Sequence, residues 1–135
     1  MTYRWVDHTA DLELEIESPS EPAVFEEALR ALAELLAESD GHSDATPTTR
    51  REVTAEAPDR PTLLAAWIEE LAFLAESEGF VATRIVEINL AGGGLRATVA
   101  GALGDPPPLV KAVTYHRLTF EPYRDGYVAR VVLDV

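Results

Sequence analysis

The chain has 135 residues, 47% of them hydrophobic, enough for one domain with its own core and too apolar for a disordered chain. Its formal net charge is −13, from 24 acidic against 11 basic side chains. That balance opposes direct binding to a phosphate backbone and favours cations or a partner with a basic surface. There are no cysteines, which excludes disulfides, iron–sulfur clusters and cysteine-ligated zinc. No apolar run approaches the ~20 residues a bilayer span needs. The first residues lack the basic and apolar segments of a signal peptide, so the expected location is cytoplasmic.

Residues 3–7 (YRWVD) suit a short first strand. A polar knot of Asp7, His8 and Asp11 follows. In residues 12–17, Leu12, Leu14 and Ile16 alternate with Glu13, Glu15 and Glu17, which predicts a half-buried strand with one wet face. Asp11 shares the phase of the glutamates and should project to that polar face.

The segment SPSEPAVFEEALRALAELLAESDG predicts an amphipathic helix. Ser20 is its candidate cap, Pro22 lies in the first turn and Gly41 beyond the end. Phe25, Leu29, Leu32 and Leu36 form its apolar stripe. Residues 40–48 read as a loop and 49–57 as a strand. A second helix is expected in PDRPTLLAAWIEELAFLAESEG, with Asp59 as cap, Pro61 near the first position, and Leu64, Trp67, Ile68, Leu71 and Leu74 facing inward. From Gly79 onward the pattern is all strand. Residues 80–90 and 95–103 flank a turn at AGGG, and residues 112–121 and 127–135 flank a turn at PYRDG. GDPPP between the two hairpins is a stiff loop that cannot join a ladder. In the last strand Tyr127, Ala129, Val131 and Leu133 share an apolar face, which leaves Asp134 on the opposite face with Arg130. No repeat, linker or boundary divides the chain. The expectation is an α+β fold, a single two-layer domain over residues 1–135 with a mostly antiparallel or mixed sheet packed by two amphipathic helices.

Several chemistries find no support in these residues. Gly92, Gly93 and Gly94 precede a strand pattern with no GK[ST], so they suit a turn better than a phosphate cradle. His8, His42 and His116 are scattered, with no HExxH pair, and no nucleophile elbow G-x-S-x-G occurs. Asp11 and Asp134 carry more interest. Asp134 is penultimate, so its side chain is near the terminal carboxylate of Val135, which ionises near ~3.5. If the first and last strands are neighbours, three carboxylate groups converge and require a cation or protons to offset their repulsion. Hard oxygen ligands of this kind suit Ca²⁺ or Mg²⁺ rather than zinc. If the strands are apart, both are ordinary exposed aspartates. Lys111, the single lysine among ten arginines, is either a surface residue at a strand start or a counter-charge and phosphate contact.

DHTAD near the start, VKAVTYH late in the chain and the final LDV, in that order, resemble the archease family over essentially the whole chain. The chain differs in ending on Val135 where Ile is common and in the compressed GDPPP before KAVTYH. The resemblance implies a non-catalytic protein that activates an RtcB-type RNA-splicing ligase, promoting its guanylylation and repeated turnover in tRNA splicing and RNA repair. It implies a divalent metal site at Asp11, Asp134 and the Val135 carboxylate, with Ca²⁺ first and Mg²⁺ or Mn²⁺ as alternatives, and a partner or nucleotide contact at Lys111. Asp7 and His8 would then support or hold the turn behind the ligands. No direct contact with nucleic acid or membrane is expected. Two other classes stand beside this one. A general chaperone, or a modulator of a tRNA-modifying enzyme such as a methyltransferase, needs no metal site. A small metal-dependent hydrolase needs a positioned base, for which His8 is the obvious candidate.

Overall fold

The computed structural model describes residues 2–7, 11–39, 49–104 and 112–134. Within them the order is β1 (Thr2–Asp7), β2 (Asp11–Ser18), α1 (Glu21–Ser39), β3 (Thr49–Glu56), α2 (Arg60–Glu78), β4 (Phe80–Ala91), β5 (Gly94–Leu103), β6 (Ala112–Tyr123) and β7 (Gly126–Asp134). The α+β class is as expected. The strands form two antiparallel sheets, one ordered β1-β2-β7-β6 and the other β3-β5-β4.

Local chemistry sets the element ends. The Ser20 hydroxyl accepts from the Ala23 amide at 3.3 Å and caps α1. Asp59 is extended (φ −145, ψ 169) and accepts from the Thr62 amide at 2.9 Å, capping α2. That bond holds the Asp59 carboxyl below its ordinary range. Gly79 closes α2 in the left-handed region at φ +67. Gly92, at φ +58, and Gly93 make the β4–β5 turn, so the glycine run is a hairpin. Gly41 and the rest of the loop 40–48 lie outside the described residues.

The core lies between the sheets' inner faces and the two helices. Phe25, Leu29, Leu32 and Leu36 of α1 are buried, as are Leu64, Trp67, Ile68 and Leu71 of α2, while Leu74 packs partly buried against them. Leu63 and Ala65 are buried too, so the first half of α2 is covered nearly all round. The reason is that α2 lies against β3 and β4 of one sheet and β6 of the other. The Trp67 indole donates to the Phe25 carbonyl at 3.0 Å inside the core. Phe25 stacks edge-on against Trp67, with centroids 6.2 Å apart, and 5.7 Å from Phe120 of β6. One aromatic cluster thus ties both helices to the four-stranded sheet. No helix among the described residues is long and apolar enough to cross a membrane.

Candidate functional site

The four-stranded sheet has two chemically different faces. Tyr3 and Trp5 of β1, Leu14 and Ile16 of β2, Ala129, Val131 and Leu133 of β7, and Val113 and Phe120 of β6 belong to the core or pack on it. The residues between them point the other way. On β2 these are Asp11, Glu13, Glu15 and Glu17. On β7 they are Val128, Arg130, Val132 and Asp134.

The pairing register answers the question of adjacency. Strand β2, not β1, lies beside β7, antiparallel, with Asp11 directly opposite Asp134. Ala112, the first residue of β6, faces Asp134 from the other side. Directly paired side chains on one sheet face have Cβ atoms ~5 Å apart, and like charges so placed repel. Two carboxylates at a strand end are a donor set suited to a hard cation. Among the described residues no three His, Asp or Glu side chains cluster closely enough to hold an ion by themselves. His8, His42, Lys111 and Val135 lie outside the described residues. Asp7 is placed by its backbone, opposite Leu12, and its side chain lies outside them, as does that of His116.

The outer face departs from the wet strand expected of β2. Glu17 is exposed and Glu15 half-buried, but Glu13 is only 4% exposed. The cause is β6. Thr114 pairs with Val132 and Thr119 with Arg130, so four residues of β6 stand against the single Val131. This bulge carries Arg117 at φ +60, in the left-handed region. The Arg117 guanidinium reaches across β7 to the Glu13 carboxylate at 3.6 Å. Tyr115, in the same bulge, is 61% exposed. Periodicity alone misses Glu13 and Arg117. A signal was present, since Val113 and Phe120 are both core residues of one strand yet differ in parity, which requires an odd number of inserted residues between them.

Further down the face lies a groove of about 630 Å³ lined by Arg4, Glu15, Glu17, Glu121, Tyr123 and Arg130, among others. Its central charges are already matched. Arg4 donates to Glu15 at 2.5 Å and Arg130 at 3.1 Å. Those bonds, Arg4 first, hold the Glu15 carboxyl below its ordinary range against the opposing effect of burial.

The fold and this face define a small α+β protein whose distinctive chemistry is an opposed aspartate pair at a strand end beside an exposed, bulged edge. The model of the Archease protein family (MTH1598/TM1083) matches residues 3–135, and the chain belongs to that family. The protein archease of Methanosarcina barkeri is 32% identical, covering 98% of this chain and 95% of the relative. That of Archaeoglobus fulgidus is 31% identical over the whole of both. The solution structure of Methanobacterium thermoautotrophicum protein 1598 superposes with a TM-score of 0.73 at 26% identity, covering 98% of each chain. A crystal structure from Thermotoga maritima, titled an archease and possible chaperone, has a TM-score of 0.59 at 23% identity, covering 100% of this chain and 98% of that one, and shows the fold alone.

Proposed function

We propose that this protein is a non-catalytic activator of an RtcB-type RNA-splicing ligase, acting as a single domain in the cytoplasm by promoting ligase guanylylation and turnover in tRNA splicing and RNA repair. Asp11, Asp134 and the carboxylate of Val135 hold a divalent ion, Ca²⁺ first among the candidates. Lys111, the residue before Ala112, contacts the ligase or a nucleotide phosphate, and Asp7 and His8 support the turn. The observation that carries this reading is the register of Asp11 opposite Asp134. Family membership supports the choice of partner, and the charge of −13 suits docking to a basic protein surface rather than to RNA.

The test is ligase guanylylation by GTP with this protein present as wild type, Asp11→Ala, Asp134→Ala, Lys111→Ala, or with one residue added after Val135. Each variant is expected to lose most of the stimulation while remaining folded by circular dichroism. Full stimulation by all four would sink the proposal. Protection of unrelated clients from aggregation, independent of Asp134, would favour the chaperone reading in its place.

A further inference from the structure

We propose that Tyr115 is the anchor by which this protein docks on its protein partner, with the bulge of β6 as the docking surface beside the aspartate pair. The occupant is the RtcB-type ligase, so the assignment rests on the reading above. Docking then falls to Tyr115 and the response of the ligase to the aspartates, two roles on separate residues.

Tyr115 is 61% exposed, the most exposed large hydrophobic side chain among the described residues. Strand alternation does not put it there. Val113 is buried in the core, and in a regular strand position 115 would share its inward side. Thr114 pairs with Val132 and Thr119 with Arg130, so residues 115–118 have no register partner on β7. The bulge turns the ring out into solvent. It also carries strain, since Arg117 within it holds a non-glycine backbone at φ +60, a conformation that persists only where the fold imposes it. Bulges of this kind re-aim side chains and are frequent at sheet edges and beside functional sites.

Position and composition select the occupant. Strand β6 ends the sheet order β1-β2-β7-β6, so no further strand among the described residues pairs with its outer side. Ala112 faces Asp134, and three residues along a strand span ~10 Å. A protein seated on Tyr115 therefore also reaches the aspartates. From Ala112 to Phe120 the strand carries no Asp or Glu, in a chain with 24 of them. The ring can be desolvated on docking without burying a carboxylate, while the aspartates and the net charge of −13 draw a basic protein surface towards it. An aromatic centre free of acidic residues, with charge outside it, has the make-up of a protein–protein interface. Phe73 of α2, 60% exposed, lacks that setting, because the exposed Glu69, Glu70 and Glu76 flank it at helical spacing.

The experiment titrates the full chain into an RtcB-type ligase with GTP and reads the half-maximal concentration and the maximal rate of guanylylation separately. Tyr115→Ala removes an exposed side chain and is expected to fold as wild type. It should raise the half-maximal concentration ~10-fold or more, as loss of one interface hot spot implies, and keep the maximum. Asp134→Ala should instead lower the maximum. Tyr115→Phe, which keeps the ring, and Phe73→Ala, which removes an equally exposed ring elsewhere, should stay within about 3-fold of wild type in both readings. An unchanged half-maximal concentration in Tyr115→Ala, a fall in its maximum alone, or an equal rise in Phe73→Ala overturns the inference and leaves the ligase reading standing. A wild-type protein that does not stimulate the ligase overturns both.

Discussion

Glu15 sits between two guanidiniums, and its titration is set by them. Arg4 and Arg130 stabilise its charged form and depress its pKa below the ordinary 4.5. A carboxylate with a depressed folded-state pKa adds stability that is complete above its unfolded value and lost as the pH falls through the folded one. Glu15→Gln is therefore expected to destabilise the protein at pH 7, read as a lower melting temperature, by no more than about 1 kcal/mol because Arg4 is largely exposed. The deficit should shrink only below pH 4.5, which a thermal-melt series from pH 7 to pH 2 measures. A deficit that is constant over that range would show that packing, not charge, is lost. The neighbouring residue of the same phase shows where single positions become illegible in sequence. Glu13 and Glu15 have identical alternation, and nothing local separates them. One is buried and the other half-buried, and the Arg117 contact to the first comes from β6, near the other end of the chain. Asp11 was legible, since its phase with the glutamates puts it on the outer face.

At the scale of elements, the signals that worked were short-range. Ser20 and Asp59 cap the helices they precede, and the AGGG and PYRDG turns join the strands expected on either side. The β6–β7 turn is tighter than its motif, because Arg124 takes φ +54 and the turn needs only Arg124 and Asp125. Strand β6 thus continues through Pro122, which an edge strand tolerates. The junction after α2 shows how closely such ends are fitted. Gly79 is left-handed, and its carbonyl accepts from the Gly104 amide at 2.7 Å. A Cβ on Gly79 would fall 2.3 Å from the Gly104 carbonyl oxygen. Gly79→Ala therefore meets both a disfavoured φ and a backbone clash. It is expected to destabilise the protein by more than ~1 kcal/mol in urea unfolding, whereas Gly92→Ala, with open space around its Cβ, bears only the φ cost. Equal losses at the two glycines would mean that the Gly104 approach does not constrain the chain. What local pattern could not supply was the division of the strands into two sheets. That depends on each helix lying against strands of both sheets, a long-range arrangement with no periodicity of its own.

For the whole molecule the governing quantity is a charge of −13 on 135 residues. Self-repulsion at that charge weakens the compact state and is relieved by any salt. A specific ion site does something different, because it stabilises by mass action on the folded form alone. The topology separates the two effects, since it brings residue 11 beside residue 134 only when the chain is folded. Raising NaCl from 10 to 300 mM is expected to lift the melting temperature of wild type, Asp11→Asn and Asp134→Asn alike. At fixed ionic strength, Ca²⁺ at 100 times its dissociation constant should add about 2.7 kcal/mol, roughly 8–10 °C for a chain of this size, to the wild type. That increment should vanish in both asparagine variants. Differential scanning calorimetry measures each arm. If Ca²⁺ raises the melting temperature of all three proteins equally at fixed ionic strength, the ion is acting as diffuse counter-charge, and the opposed aspartates are not its site.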